Sequence, residues 1–236
     1  MSELPEEYRS ILVITAHPDD MEFGCGGSVA KWCAEGRDVF LVISTNGDKG
    51  SGDREMTSER LAATRAAEQG DACRALGVKD FRILGYPDGF LADTPQFQGD
   101  VVRAIRTFRP DVVVCQDPVR RLSLFAQHRD HRVAGSVALD SVFPAARDHL
   151  YYPEQVAEGL EPHKTAEAWV FGAEFPDTYV DITDSIDTKI AALHCHVSQV
   201  GTAEGLAERI REGAANLGET PGFAYAEAFK RLKYRR

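Results

Sequence analysis

Four short apolar runs, Ile11 to Ala16, Val39 to Ile43, Phe81 to Leu84 and Val112 to Cys115, are separated by segments with helical spacing, and this alternation constrains the chain more than any other feature. Uniformly apolar strands need cover on both faces, and the intervening helices supply it. Gly26 to Glu35 ends at Gly36. Thr57 to Leu76 carries Leu61, Ala62, Ala66, Ala72 and Leu76 at helical intervals and ends at Gly77. Phe97 to Phe108 is ended by Pro110. The order βαβαβαβ predicts an α/β fold, Rossmann-like and doubly wound, with a mostly parallel sheet and helices on both faces. Further on, His128 to Arg147 reads as a helix, and Tyr151 to Lys164 as a connection rich in Tyr, Pro and Glu. Strands near Ala168 to Phe171 and Tyr179 to Ile182, with helices from Asp184 and Thr202, complete the chain. The 236 residues, 43% hydrophobic and without repeats, are expected to form a single domain spanning residues 1–236.

In a doubly wound sheet of the common order 3-2-1-4-5, the first and fourth strands are neighbours, and ligands bind in the crevice beyond their carboxyl ends. The first strand is followed by Ala16, His17, Pro18, Asp19, Asp20, Met21 and Glu22. The loop after the fourth leads into Gln127, His128, Arg129, Asp130 and His131. The predicted strand order therefore brings the two densest His/Asp clusters together. Two imidazoles and one carboxylate are a familiar set for a catalytic divalent metal with positions open for water and substrate. His17 and Asp20, three apart in a tight loop, can grip one ion. His128 and His131, three apart on a first helical turn, share a face, so one can bind the metal while the other points at substrate. Asp19 can take a proton from the attacking water. Its alternative role is to cap the following helix.

Composition excludes several other classes. Lys and Arg total 27 against 37 Asp and Glu, a formal net charge of -10 that repels nucleic acid and anionic membrane surfaces. The basic tail Lys230, Arg231, Lys233, Arg235, Arg236 reads as solvated. The acidic N-terminus lacks the pattern of a secretory signal, no run is long enough to span a membrane, and a cytoplasmic protein is expected. Five scattered cysteines with no C-x-x-C pair argue against a disulfide framework or a cysteine zinc site. Gly24, Cys25, Gly26 and Gly27 are not a dinucleotide fingerprint, because Val29 stands where Gly or Ala is required, and they read as close helix packing. Cys25 reads as a small buried thiol. His194 and His196, two apart on a helix, face different ways, and His149 and His163 read as surface residues.

At the stretch Ala16 to Glu22 and again at His128 to His131, the chain resembles the N-acetylglucosaminyl deacetylases of the PIG-L and LmbE superfamily, whose signatures are A-H-P-D-D-x-E and H-x-D-H. The likeness continues through Asn46 to Gly50, Arg65 and Glu68, and Tyr86 to Gly89. It then takes in Val180 to Ile182, Lys189, Ala192, Leu193, His196, Ser198 and Gln199, and so covers roughly residues 10 to 200. The resemblance implies that His17, Asp20 and His131 bind Zn2+, with Fe2+ as the alternative metal, and that Asp19 is the general base. It implies that His128, oriented by Asp130, polarises the amide carbonyl or protonates the leaving amine. It places Arg65, Asp88 and His196 at substrate-contacting positions. A small N-acetylated amino sugar would be the partner, and a trimeric or hexameric homo-oligomer the assembly. The segments Leu122 to Gln127 and Tyr151 to Lys164 are expected to line or cover the site. Two rival functions use the same residues, a non-haem Fe(II) oxygenase and a non-catalytic ligand-binding module. The oxygenase has no use for Asp19 beside its ligands, and its usual scaffold is an all-β barrel.

Overall fold

Ile11, Leu12, Val13 and Ile14 have no exposed surface, because strand β1 (Ser10–Thr15) lies inside a seven-stranded sheet with helices on each side. The computed structural model describes residues 4–119, 128–201 and 204–234. The other strands are β2 (Asp38–Thr45), β3 (Asp80–Tyr86), β4 (Val112–Gln116), β5 (Glu167–Phe171), β6 (Thr178–Asp181) and β7 (Ala226–Lys233). Their order across the sheet is β3-β2-β1-β4-β5-β7-β6. The first five are parallel, in the order expected from the sequence, and β7 runs antiparallel to both β5 and β6. Helices α1 (Asp20–Ala34), α2 (Ser58–Leu76), α3 (Pro95–Phe108), α4 (Arg129–Val142), α5 (Pro153–Ala157), α6 (Ile186–His194), α7 (Val197–Val200) and α8 (Leu206–Gly218) complete the chain. Alternation along β1 serves two cores. Ile11 and Val13 pack with Trp32, Leu76 and Ile190 on one face, Leu12 and Ile14 with Phe97, Val101 and Val137 on the other.

Strand β7 escaped the sequence analysis because Ala226 to Lys233 is half charged. Its basic residues are not a solvated tail: the Arg231 guanidinium donates from Nε and Nη2 to the Glu167 carboxylate at 2.5 and 2.6 Å, and Lys230 pairs with Asp177. Arg235 and Arg236 lie outside the described residues. Burial raises the Glu167 pKa, but hydrogen bonds from Arg231 and from Trp169 Nε1 outweigh it and hold the carboxyl below its usual range.

Helix α1 begins six residues earlier than expected and breaks at Cys25, where φ is −148° and ψ is 19°. The break strands backbone groups inside the protein, and two distant side chains satisfy them. Glu227 on β7 accepts from the N–H groups of Gly27 and Ser28 at 3.0 and 2.7 Å; Lys189 on α6 donates to the Phe23 carbonyl at 2.9 Å and to Glu227 at 2.6 Å. The glycines here do serve close packing: a Cβ on Gly24 would stand 2.4 Å from the Phe171 ring, and one on Gly27 2.8 Å from Ile182.

Helix α4 stops at Val142, short of the expected Arg147, because a residue before proline disfavours the helical region and Pro144 follows Phe143. The connection from 151 to 164 packs along α3. Tyr152 Oη donates to the Pro95 carbonyl, Gln155 Nε2 donates to the Gly99 carbonyl, and the buried Arg106 guanidinium donates to the carbonyls of Ala145, Asp148, Tyr151 and Tyr152. His163 sits half-buried with a ring nitrogen 2.8 Å from the Pro110 carbonyl, whereas His149 is exposed as expected. The segment Leu122 to Gln127 and the expected helix start at Thr202 lie outside the described residues. Among the described residues no helix is long and apolar enough to cross a membrane.

Two stability tests follow from the late strands. Glu227→Leu leaves the Lys189 ammonium and two N–H groups buried without their partner, and should cost about 3–5 kcal/mol in urea denaturation. For Glu167 the folded pKa lies below the unfolded one, so its stabilisation is present above the unfolded carboxylate value, near 4.3, and is lost as pH falls through the folded one. Glu167→Gln should therefore lower the melting temperature at pH 7 relative to the parent, with the gap closing as pH falls below about 4.

Candidate active site

The crevice past the carboxyl ends of β1 and β4 is held shut at its base by Gln116, whose Oε1 accepts from the Ala16 N–H at 3.0 Å. Helix α4 reaches this point because residue 135 is glycine: a Cβ there would stand 2.2 Å from the Gln116 carbonyl oxygen. His131, on the first turn of α4, thereby meets the loop after β1. His17 Nδ1 lies 3.2 Å from His131 Nε2 and 3.4 Å from Asp20 Oδ2, and His131 Nε2 lies 3.1 Å from Asp20 Oδ1. For a tetrahedral ion with ligand bonds of 2.0–2.1 Å, neighbouring ligand atoms stand roughly 3.3 Å apart. His17 Nδ1 and His131 Nε2 stand near that spacing, and Asp20 meets each ring with a different carboxylate oxygen, so the three residues have the donor chemistry for such an ion. The ring nitrogens of His17, His128 and His131 also fall within 4.8 Å of one another, so His128 borders the same point.

A second layer fixes the first. His17 Nε2 faces Asp88 Oδ1 at 3.1 Å and Asp130 Oδ2 at 3.2 Å, which leaves Nδ1 for the metal side. Asp130 is fully buried and accepts from the N–H groups of Gly89 and Leu91 at 2.6 and 3.1 Å. Its carboxylate was expected to orient His128. Instead it faces His17, and it is the Asp130 backbone N–H that donates to His128 Nδ1, at 3.3 Å. Burial lowers the His17 pKa, but the hydrogen bonds to Asp130, Asp20 and Asp88 outweigh it and raise it to about 12. His131 is raised because the Asp20 charge overcomes burial, and Asp20 is held well below its ordinary value because His131 and His17 overcome its own burial. A divalent cation held by these residues would take the place of the protons on the two rings.

Asp19 stands at the N-cap position of α1, yet its side chain makes no capping hydrogen bond. Its carboxylate accepts from Arg65 Nη2 at 3.3 Å and its backbone N–H donates to Gln69 Oε1 at 3.1 Å. Burial, then the Asp20 charge, pushes its pKa up to about 7, against the pull of Arg65 and His196. A carboxylate in that range accepts a proton readily near neutrality.

The three expected substrate contacts have different placements. Arg65 is 4% exposed and donates to the Gly47 and Pro18 carbonyls; Asp88 is 6% exposed, faces His17 and accepts from the Lys49 N–H. Both form the floor of the site. His196 is fully buried, with Nε2 3.5 Å from Glu22 Oε2. Gln69 escaped the sequence analysis, although its place four residues after Arg65 puts both on one face of α2.

The sequence profile of the PIG-L family, described as GlcNAc-PI de-N-acetylase, matches residues 12–142, and so takes in both clusters of the site. The chain belongs to the PIG-L family. It is 30% identical, over 95% of its length and 83% of the relative's, to a diacetylchitobiose deacetylase of Thermococcus kodakarensis. It is also 30% identical, over 81% of its length and 80% of the relative's, to a 1D-myo-inositol 2-acetamido-2-deoxy-alpha-D-glucopyranoside deacetylase of Thermobispora bispora. The fold matches the structure of an N,N'-diacetylchitobiose deacetylase from Pyrococcus horikoshii with a TM-score of 0.90 and 29% identity, over 97% of this chain and 85% of that one. In this chain a mostly parallel sheet carries the pair of His/Asp clusters at its switch point.

The geometry separates ligands from supporting residues in a zinc titration against a chromophoric chelator. Asp20→Ala should abolish stoichiometric Zn2+ binding. Asp130→Ala, which leaves the three side chains in place but holds the His17 ring by Asp88 alone, should weaken it about 10–100-fold.

Proposed function

We propose that this protein is a zinc-dependent amidohydrolase that removes the acetyl group from an N-acetylglucosamine-type sugar or conjugate. The observation that carries the reading is the meeting of His17, Asp20 and His131 at distances of 3.1 to 3.4 Å, with the Asp19 carboxylate beside them and held by Arg65. His17, Asp20 and His131 would hold Zn2+, which would supply Lewis acidity to an acyl oxygen and to the attacking water. Asp19 Oδ takes the proton from that water as it attacks the carbonyl carbon. Arg65 keeps the carboxylate in place during the transfer.

His128 completes the proton balance. Its Nδ1 accepts the Asp130 N–H, and because a backbone amide only donates, the neutral ring carries its proton on Nε2. That N–H is free to donate to the oxyanion that develops at the acyl group, a stabilisation typically worth several kcal/mol of barrier. The departing nitrogen needs a proton before it can leave as an amine, and Asp19, now carrying the proton taken from the water, delivers it, or a protonated His128 does. Both relatives are named as deacetylases, one of a diacetylated chitobiose and one of a 2-acetamido-2-deoxy-glucopyranoside, which supports an N-acetyl amino sugar as the substrate class. The oxygenase reading is disfavoured by the α/β sheet and by Asp19, which it leaves without a task.

Acetate release across a panel of N-acetyl sugars, with metal content measured on the same sample, tests the reading. The parent should release acetate with at least one of them. Asp19→Asn should lower turnover at least about 100-fold while holding the same zinc. Near-normal turnover in Asp19→Asn would sink the mechanism, and oxygen uptake dependent on an oxo acid, with no acetate released, would replace it with the oxygenase.

A further inference from the structure

Gln69, Glu22 and His196 stand behind the candidate site, at most 1% exposed, and none of the steps above uses them. They lie end to end. The Asp19 N–H donates to Gln69 Oε1 at 3.1 Å, Gln69 Nε2 donates to Glu22 Oε1 at 2.7 Å, and Glu22 Oε2 faces His196 Nε2 at 3.5 Å. The direction of this row is set at its start. A backbone N–H can only donate, so Gln69 must turn its carbonyl toward Asp19 and its NH2 toward Glu22, whose oxygen must accept. His196 closes the row by charge and packing and not by a hydrogen bond: among the described residues Glu22 Oε2 and both ring nitrogens have no hydrogen-bond partner, and the imidazole faces the far oxygen at 3.5 Å.

The row matters because of the backbone it ends on. Asp19 has φ 87° and ψ −22°, in the left-handed region, which a non-glycine residue keeps only where its surroundings hold it. The peptide that joins Pro18 to Asp19 is gripped at both polar ends from α2. Arg65 Nη2 donates to its carbonyl at 2.6 Å, and Gln69 Oε1 accepts its N–H at 3.1 Å. A rotation of that peptide plane would change the φ of Asp19 and swing its carboxylate away from the donors.

We propose that Gln69, set in its orientation by Glu22 and His196, is a positioning residue that locks the Pro18–Asp19 peptide and keeps the Asp19 carboxylate aimed across His17, Asp20 and His131. His196 acts through this row and does not touch substrate. The proposal rests on the reading of Asp19 as proton acceptor, and its decisive readout needs no substrate.

The test is hydrogen exchange of the Asp19 amide by NMR on the zinc-loaded protein, paired with kcat and KM on whichever N-acetyl sugar the parent hydrolyses. Gln69→Met should speed that exchange at least tenfold and lower kcat at least tenfold, with KM within twofold and zinc content unchanged. Glu22→Leu should act in the same direction, and Glu22→Gln, whose amide oxygen still accepts from Gln69, should restore both; these two variants decide the matter should Gln69→Met fail to fold. Unchanged Asp19 exchange in Gln69→Met, or Glu22→Gln as impaired as Glu22→Leu, overturns the proposal. Faster exchange in a protein that releases no acetate from any sugar supports the peptide lock and refutes the deacetylase reading instead.

Discussion

His17 and His131 are 114 residues apart in the chain, and the parallel pairing of β1 with β4 is what puts their rings 3.2 Å apart. With Ile11 opposite Val112 and Ile14 opposite Cys115, both strands end at one level, so both following loops open into one crevice. The close seat of α4 on Gln116, which only glycine at 135 allows, then sets the depth at which His131 and Asp130 enter. A shift of one residue in this pairing would turn the side chains of one strand to the other face and part the two clusters.

Acidic residues are gathered around this crevice to an extent that would be unfavourable without cations. Asp20, Asp88 and Asp130 all point at the His17 ring, and Asp19 lies next to Asp20. Among the described residues the charges that oppose them include the histidine rings and Arg65, whose guanidinium serves Asp19 and stands 4.0 Å from Asp88. Such a field favours a divalent cation at the point where the rings converge, and burial, reinforced by the Asp20 charge, is why Asp19 stays protonated to a higher pH than an ordinary carboxylate. The buried ion pair of Lys189 and Glu227 supports this arrangement from below, because it satisfies the break in α1 that lets the first turn of that helix carry Asp20 and Glu22 into the site.

Much of this was legible in the sequence. Apolar runs and helical spacing pointed to a parallel sheet between two helical layers, the common doubly wound order supplied the expectation β3-β2-β1-β4-β5 that the sheet has, and that order named the crevice. The His/Asp clusters stood at the ends of the right strands. What could not be read was pairing between residues far apart in the chain. Strand β7 hid in a charged segment because its cations are matched by Glu167 and Asp177, which the local pattern does not show. Asp130 looked like a partner for His128, two residues away, and turned to His17 instead.

The sequence by itself determined which segments are strands and helices in the first half, and which residue types could hold a metal, because burial periodicity and side-chain chemistry are properties of neighbouring residues. The tertiary structure alone decided what each of those side chains faces. It gave the His17 ring two carboxylates, placed His196 behind Glu22 with no exposed surface, and clamped the peptide before Asp19 from α2. Hydrogen-bond geometry depends on distances of a few tenths of an ångström between elements, and these are settled only when the strands have paired and the helices have packed.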